Sequence, residues 1–448
     1  MESNSVTPED LLRNISEEDV NFIDLQFTDI AGAVKNITIP VKQLESTLNH
    51  GIWFDGSSVE GFARIAESDM YLFPDITTFA ILPWLQNDRK TARLICNVYT
   101  PDSQPFLGDP RYILSRVIDE AEKMGFIYNT GPELEFFLFK PNPNGKFLPP
   151  LPQDSGGYFD QPVDMVATNF WRNVASALGA FGIEAETMHH EVAPGQHEID
   201  FRYSTALKTA DNAVTFRSLV KILADQAGLY ATFMPKPIRG QSGNGMHVHQ
   251  SFSYKANGSN AFFDPGDQHG LSKIAKHFIA GQLAHAKGMC AILAPLVNSY
   301  KRLVQGYEAP VHISWGRINR SALIRIPRAH STEATRLELR CPDPSCNPYL
   351  ALTVMLAAGL DGIKRELPIP EAQEENLYLL AKNNKNSGID ILPGSLNQAI
   401  AELEKDTVIK QALGSHLFER FVAAKEIEWE DYRLEVTQWE LNRYFPAY

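Results

Sequence analysis

The first hundred residues alternate between apolar and polar positions in a way that predicts a small α+β unit. Three apolar residues separated by polar ones are typical of a half-buried strand: Ile23, Leu25 and Phe27. Turn-forming residues follow, and residues 34–39 are predicted to return as a second strand. Apolar residues then recur at helical spacing up to Gly51, and residues 70–73 and 93–99 are predicted as further strands. Two strands, a helix and more strands indicate a compact grasp-like domain.

A domain boundary is predicted where the chain becomes rich in proline and turn formers, in PDSQPFLGDP at residues 101–110. Asp109 and Pro110 are typical of a helix N-cap and a first helical residue. We therefore divide the chain into an N-terminal domain over residues 1–107 and a larger domain over residues 108–448.

The larger domain mixes both kinds of periodicity, so the predicted fold class is α+β. Helices are predicted over 164–180, 210–227 and 270–290. Strands are predicted over 133–139, 197–203, 230–234, 246–253 and 336–341.

Composition excludes several classes of protein. In 448 residues, 44% are hydrophobic and 21% charged, which is typical of a globular protein. Lys+Arg 41 against Asp+Glu 54 gives a net charge of −13, so we expect neither nucleic acid nor a membrane as a partner. An acidic N-terminus, no apolar run long enough to span a bilayer, and four cysteines without CxxC spacing predict a cytoplasmic protein with buried thiols.

Glu133 and Glu135 lie in GPELEFFLF, where strand alternation points both carboxylates to one face. A solvated strand face is one interpretation. The neighbouring phenylalanines indicate burial instead, and buried paired carboxylates favour a metal site.

Further metal ligands are predicted in two segments. Pro194 and Gly195 break HHEVAPGQHEIDFRY into a turn, so Glu191 and Glu198 can converge on one ion, although a polar surface turn is the alternative. In GQSGNGMHVHQSF, a glycine-rich loop leads into a strand that places His247 and His249 on one face.

Residues 298–340 concentrate basic residues in an acidic chain. Seven arginines occur there without helical spacing: Arg302, Arg317, Arg320, Arg325, Arg328, Arg336 and Arg340. Guanidinium groups bind carboxylate and phosphate groups bidentately. Glu338 shares a predicted strand face with Arg340, and Glu308 lies in QGYEAP.

Together these residues predict phosphoryl transfer. Mostly oxygen ligands with one imidazole favour Mg²⁺ or Mn²⁺ over Zn²⁺. Hard cations beside several arginines are typical of a two-metal enzyme that uses a nucleotide and acts on an acidic substrate.

The chain resembles the type I glutamine synthetases of bacteria and archaea over residues 18–448. Six groups of motifs carry the resemblance: FDGSSVEGF, GPELEFFLF, HHEVAPGQHE, MPKP with GNGMHVH, NSYKRLVQGYEAP, and NRSALIRIP with RLELRCPDP. The resemblance implies an N-terminal β-grasp domain and a C-terminal catalytic domain with a curved antiparallel sheet. It also implies a homo-oligomer, a dodecamer of two hexameric rings with active sites between subunits, that makes glutamine from glutamate, ammonium and ATP.

The same resemblance assigns the metal ligands and the substrate contacts. Two or more Mg²⁺ or Mn²⁺ ions per active site would be held by Glu133, Glu135, Glu191, Glu198, His247 and Glu338. The implied contacts to glutamate, ammonium or the acyl phosphate come from Ser58, Tyr158, Gly243, Arg302 and Arg340. The implied nucleotide contacts are Glu186, Phe201, Arg202, Tyr203, His249, Ser251 and Arg325.

Three residues receive catalytic roles from the resemblance. Asp55 of a neighbouring subunit would take a proton from ammonium, and Arg320 would stabilise the transferring phosphoryl group. Glu308 would belong to a flap that shields the acyl phosphate from water.

Departures from the family pattern indicate its short subtype, which is regulated by feedback. Glu333 stands where some relatives carry a nucleotide-contacting lysine, and Leu379-Leu380-Ala381 follows Tyr378 in place of Asp-Leu-Pro. Arg64 matches the arginine of that subtype that senses glutamine, although an ordinary surface arginine is the alternative. A small regulatory protein partner is left open.

Two other functions remain open at this stage. One is a related γ-glutamyl ligase for a larger amine, against which Asp55, Ser58 and Glu308 argue. The other is a catalytically inactive scaffold of the same fold, against which the complete set of acids and arginines argues.

Overall fold

The computed structural model describes residues 6–57, 59, 69–85, 89–146, 148, 150–161, 165–304, 309–319, 321–375 and 388–448. Within these ranges, every helix is too short or too polar to cross a lipid bilayer. All four cysteines are buried and free, as predicted.

The N-terminal unit is a sheet with two helices beside it. Its elements are α1 (Pro8–Glu17), β1 (Phe22–Thr28), β2 (Val34–Pro40), α2 (Leu44–His50), β3 (Ile52–Asp55), β4 (Asp69–Ile81) and β5 (Thr91–Tyr99). The strand order is β2-β1-β5-β4-β3, with β1 and β5 parallel. Ile23 and Leu25 are fully buried, which confirms the alternating strand pattern. Gly51 ends α2 with φ of 68°, the left-handed conformation that favours glycine.

The sheet of the larger domain carries the candidate site. Its strands are β6 (Phe126–Phe139), β7 (Ala185–His190), β8 (Gln196–Phe201), β9 (Ser204–Thr205), β10 (Tyr230–Thr232), β11 (Met246–Tyr254), β12 (His312–Gly316), β13 (Ala322–Arg325) and β14 (Leu337–Leu339). The main path runs β12-β13-β14-β11-β6-β8-β7. Its pairs are antiparallel except β12 with β13, which run parallel, so the sheet is mixed at that edge.

Helices cover this sheet and form the core behind it. They are α3 (Pro110–Lys123), α4 (Met165–Ala180), α5 (Ala206–Gln226), α6 (Lys273–Ala284), α7 (Ala286–Leu293), α8 (Ser299–Arg302), α9 (Pro348–Lys364), α10 (Leu396–Lys405), α11 (Thr407–Leu413), α12 (Ser415–Leu434) and α13 (Gln438–Tyr444). Asp109 caps α3 by accepting a hydrogen bond from the Arg111 N–H at 2.9 Å, as predicted. The helix predicted over 270–290 is split, because His285 ends α6 and precedes α7.

Polar contacts join the two domains. Arg111 of α3 reaches Asp75 of β4 at 2.7 Å and Asp211 of α5 at 3.0 Å. Asn347, the N-cap of α9, donates to the Asp29 carbonyl at 3.1 Å. These buried contacts hold the N-terminal sheet against the helices of the larger domain.

Candidate active site

Adjacent strands bring four acidic residues together in the sheet. Register pairs Glu135 with Glu198, and Glu133 with Asp200, across β6 and β8. Because side chains alternate along each strand, both pairs face the same side. That side opens into a cleft of about 1260 Å³, called here the acidic cleft.

Half of the 22 predicted site residues line the acidic cleft. They are Glu133, Glu135, Tyr158, Glu191, Glu198, Gly243, His247, Arg302, Arg325, Glu338 and Arg340. The structure thus brings the six predicted metal ligands into one cavity with three arginines, Arg302, Arg325 and Arg340.

Glu135, Glu191 and Glu198 form the first carboxylate cluster. Glu135 is 8% exposed and Glu198 is 7% exposed. Burial, with the neighbouring carboxylates Glu191 and Glu198, raises the pKa of Glu135 well above its usual range. Burial and the nearby Asp200 raise the pKa of Glu198 to about 10. Without a bound cation, only protons can neutralise the repulsion between these buried carboxylates.

Glu133, His247 and Glu338 form the second cluster, with one ligand atom from each within 4.8 Å of the others. His247 Nδ1 is 3.2 Å from Glu133 Oε2 and 3.6 Å from Glu338 Oε1. His249 Nε2 is 2.7 Å from Glu133 Oε1. Burial raises the pKa of Glu133, but the hydrogen bonds from His247 and His249 outweigh it and hold that pKa well below the usual range.

Glycine at position 245 keeps the space between the two clusters open. A Cβ on Gly245 would lie 2.7 Å from Arg302 Nη2, 3.0 Å from His247 Nε2 and 3.1 Å from Glu135 Oε1, so this space is bordered by both clusters and by the Arg302 guanidinium. Carboxylate oxygens with one imidazole are a donor set for hard divalent ions.

The three arginines form the basic wall of the acidic cleft. Arg302 is 4% exposed and donates to the Cys341 carbonyl at 2.9 Å and the Arg340 carbonyl at 3.2 Å. Arg325 and Arg340 both pair with Glu338, the latter at 3.2 Å. Guanidinium groups held in this way can bind an anionic substrate on the side of the cleft opposite the carboxylates.

A second cleft of about 920 Å³, called here the side cleft, adjoins the first. Five predicted nucleotide contacts line it: Glu186, Phe201, Tyr203, His249 and Ser251. Glu133 and Asp200 line both clefts, so the two cavities share a wall.

Two predicted nucleotide contacts lie elsewhere. Arg202 pairs with Glu184 at 2.9 Å on the surface, outside the residues that line the side cleft. Arg325 lines the acidic cleft instead. The arginine in the side cleft is Arg336, whose Nε lies 3.2 Å from His249 Nδ1.

Asp55 is the one remaining predicted site residue within the described part of the chain. Asp55 is exposed at the end of β3 and accepts from the Ser57 N–H at 2.9 Å. Ser58, Arg64, Glu308, Arg320 and Tyr378 lie outside the described residues.

Sequence reasoning missed Asp200 and His189. Asp200 faces Glu133, and burial with the Glu133 charge raises the pKa of Asp200 to about 6. His189 Nε2 is 3.2 Å from Glu198 Oε1. The alternation of Glu198 and Asp200 along HEIDF was the signal that could have identified Asp200.

Asp154 and His190 support the turn that carries Glu191. Asp154 Oδ1 accepts from His190 Nε2 at 2.9 Å, from the Gly195 N–H at 2.9 Å and from the Gly156 N–H at 3.2 Å. With three donors on that oxygen, Asp154 holds the turn in place.

Comparison with known proteins identifies the family. Residues 19–101 match the model of the glutamine synthetase beta-Grasp domain, and residues 107–444 match that of the glutamine synthetase catalytic domain. A glutamine synthetase of Thermus thermophilus is 54% identical over 450 residues, covering 99% of each chain. One of Thermotoga maritima is 52% identical over 442 residues, covering 98% of this chain and 99% of its own.

A solved structure supports the same conclusion. It is titled "GmaS/ADP complex-Conformation 1" and superposes with a TM-score of 0.89 at 33% identity, covering 98% of this chain and 100% of its own. The fold, the two domain matches and the full-length relatives agree, and the chain belongs to the glutamine synthetase family.

Proposed function

We propose that this chain is a glutamate–ammonia ligase, which joins ammonium to the γ-carboxylate of L-glutamate with ATP and yields glutamine, ADP and phosphate. The observation that carries this function is the wall of Glu133 and Asp200 shared by the acidic cleft and the side cleft. A nucleotide in the side cleft can thereby present its terminal phosphate to an acid held in the acidic cleft.

The family is dependent on ATP and divalent metal, and Glu133, His247 and Glu338 lie close enough together to hold one ion. We assign Glu135, Glu191 and Glu198 to the first cation, and Glu133, His247 and Glu338 to the second. Bound Mg²⁺ or Mn²⁺ supplies charge neutralisation and orientation of the phosphates.

Arginines and backbone hold the reacting groups in this proposal. Arg302, Arg340 and Gly243 bind glutamate, with Tyr158 nearby, and Arg320 stabilises the transferring phosphoryl group. A γ-carboxylate oxygen attacks the γ-phosphorus of ATP; the new O–P bond gives γ-glutamyl phosphate, and the bond to the β–γ bridging oxygen breaks to release ADP. The buried guanidinium of Arg302, held by two carbonyl groups, positions the acid for this attack.

Ammonia completes the reaction. Asp55, with Ser58 three residues along the chain, accepts a proton from ammonium. The neutral nitrogen attacks the acyl carbon, the C–O bond to phosphate breaks, and the further proton that the nitrogen loses leaves with the phosphate. Glu308 shields the acyl phosphate from water. Asp55 is exposed and lies outside the residues that line either cleft, which supports a site completed by a neighbouring subunit. We propose a dodecamer of two hexameric rings.

The nucleotide contacts in this proposal are those of the side cleft. Glu186, Phe201, Tyr203, His249 and Ser251 surround the nucleotide. Arg325, which pairs with Glu338, meets its phosphates from the acidic cleft.

We assign the enzyme to the short subtype inhibited directly by glutamine. The support is the short segment between Phe139 and Tyr158, the Leu379-Leu380-Ala381 sequence after Tyr378, and Arg64 in EGFARIAESDM.

The test is phosphate release from ATP in the presence of glutamate, with ammonium or with a panel of larger amines. We expect turnover with ammonium to exceed turnover with every other amine. Robust turnover with a larger amine and none with ammonium would identify the related γ-glutamyl ligase. No turnover with any amine would identify the inactive scaffold.

A further inference from the structure

Gln196, the first residue of β8, is fully buried behind the acidic cleft and has no role in the site described so far. Its Nε2 lies 2.9 Å from Glu135 Oε2, 3.2 Å from the Gly243 carbonyl and 3.3 Å from Asn244 Oδ1. All three neighbours are acceptors, so the amide group donates towards a proposed cation ligand and a proposed glutamate contact at once.

The orientation of this amide is determined by its surroundings. Gln196 Oε1 accepts from the Ala193 N–H at 3.1 Å. Asn244 donates its own Nδ2 to the Met234 carbonyl at 2.9 Å, which turns its Oδ1 towards Gln196. If the amide were flipped, its oxygen would lie against three acceptors and its NH₂ group would lie against the Ala193 N–H. Only the orientation described here therefore satisfies these hydrogen bonds.

The consequence is a fixed rotation of the Glu135 carboxylate. Its Oε2 accepts from Gln196 Nε2 and from the Gly245 N–H at 3.0 Å. Its Oε1 faces the space left open by Gly245, beside His247 Nε2 and Arg302 Nη2. One oxygen is therefore held by the protein, and the other is directed into the shared volume between the two clusters.

The backbone of Gln196 also supports the turn that presents Glu191. Its N–H donates to the Ala193 carbonyl at 2.9 Å, and its carbonyl accepts from the Glu191 N–H at 2.8 Å. Glu198 follows two residues along β8 on the strand that Gln196 begins. Gln196 thus contacts or adjoins every proposed ligand of the first cation.

We propose that Gln196 is the positioning residue of the first cation site, presenting Glu135 through Oε1 alone and linking that site to the Gly243 backbone. The inference rests on the proposed assignment of Glu135, Glu191 and Glu198 as ligands. Loss of a partner that orients a metal ligand commonly lowers metal affinity by ~10–100-fold.

The test compares Gln196→Met, which keeps the length and removes the donors, with Gln282→Met as a matched control. Gln282 is also fully buried, and its Nε2 donates to Gln250 Oε1 at 2.6 Å and to the Met355 carbonyl at 3.0 Å, away from the proposed ligands. Binding of Mn²⁺ alone to the full-length oligomer is measured by electron paramagnetic resonance of the free ion. The KM values for glutamate and ATP are measured in parallel.

We expect Gln196→Met to weaken one class of Mn²⁺ sites by ~10–100-fold and to raise the KM for glutamate, with the other class and the KM for ATP unchanged. The control should bind Mn²⁺ as the wild type does. If Gln196→Met does not fold, Gln196→Asn, which keeps a shorter amide, should show a smaller loss of the same kind.

Two results would overturn the inference, and a third would overturn its premise. An unchanged Mn²⁺ isotherm in Gln196→Met, while Glu135→Gln loses one class of sites, removes the positioning role. An equal fall in both Mn²⁺ classes and in ATP affinity shows a general loosening of the fold and also removes it. An unchanged isotherm in Glu135→Gln removes the proposed ligand assignment itself.

Discussion

At the scale of single residues, the acidic cleft divides its carboxylates into two electrostatic groups. Hydrogen bonds from His247 and His249 outweigh burial and lower the pKa of Glu133. Burial and like charges raise the pKa values of Glu135 and Glu198. A cation that binds at the first cluster must displace protons, so its binding is expected to strengthen as pH rises.

Glu135→Ala tests this cluster directly. We expect glutamine synthesis to fall by more than ~100-fold at saturating Mg²⁺, because loss of a ligand exceeds the effect of losing a residue that only orients one. The variant should still fold without divalent ions, because removing a buried carboxyl group beside other carboxylates offsets part of the loss of its hydrogen bonds from Gln196 and the Gly245 N–H; thermal unfolding checks this.

The comparison variant is Glu404→Ala, an exposed glutamate on α10. It should leave both activity and unfolding unchanged. Activity of Glu135→Ala within a few-fold of the wild type would show that Glu135 is not a ligand.

Arg64→Ala tests the proposed feedback. We expect glutamine to inhibit the wild type directly, and the variant to need more glutamine for the same inhibition while turnover stays largely intact. A coupling free energy of ~1–3 kcal/mol would shift the inhibition curve clearly. The measurement is inhibition by glutamine at fixed glutamate, with the exposed Arg13→Ala as the comparison variant.

Superimposable curves for wild type and Arg64→Ala would remove Arg64 from the regulation. An uninhibited wild type would remove the feedback proposal itself.

At the scale of elements, the junction of α6 and α7 is held by a buried ionic contact. His285 Nδ1 is 2.7 Å from Asp406 Oδ2, and His285 Nε2 is 2.9 Å from Asp361 Oδ2, which also pairs with Arg365 at 2.9 Å. The contact ties α6 and α7 to α9 and to the start of α11, at the residue where the one predicted helix is divided into two.

This junction predicts a dependence of stability on pH. Burial lowers the pKa of His285, but hydrogen bonds to Asp406 and Asp361 outweigh it and raise the pKa overall. The folded state therefore holds the proton more tightly than the unfolded chain, whose histidines titrate near ~6.5. The stabilisation is complete below that pH and is lost as pH rises through the folded-state value.

The measurement is the urea midpoint between pH 6 and pH 8.5. His285→Gln should lower the midpoint most at the acidic end and reduce its slope with pH, whereas the exposed His50→Gln should keep the wild-type slope. An unchanged slope in His285→Gln would exclude this contact as its source.

At the scale of the whole molecule, ion pairs join the two domains, and apolar side chains are exposed on the C-terminal segment. Arg111, with Asp75 and Asp211, joins the two domains within one subunit. On the C-terminal segment, Val436 is 66% exposed and Trp439 is 51% exposed. Their exposure supports the proposal that this segment contributes to assembly.

Mixed oligomers test the sharing of active sites. Asp55→Ala and Glu135→Ala chains, each inactive alone, are expected to regain part of the activity when co-expressed, because some interfaces would contain both intact residues. Activity of co-purified oligomers is compared with that of each parent and of a mixture combined after assembly. Co-assembled oligomers as inactive as either parent would contradict a site shared between subunits.

The sequence by itself determined the local structure and the chemical inventory. Alternation placed Glu133 and Glu135 on one strand face, and Asp109 with Pro110 began α3 as predicted. These features depend on neighbours in the chain, so local periodicity and capping preferences are sufficient to predict them.

Only the tertiary structure decided which distant residues meet. The register of β6 with β8 brings Asp200 opposite Glu133, and the fold sets Gln196 against Glu135. His285, where one predicted helix is divided into two, contacts Asp361 and Asp406 from other helices. Such contacts join segments far apart in the chain, and strand register and core packing, which local patterns do not specify, determine them.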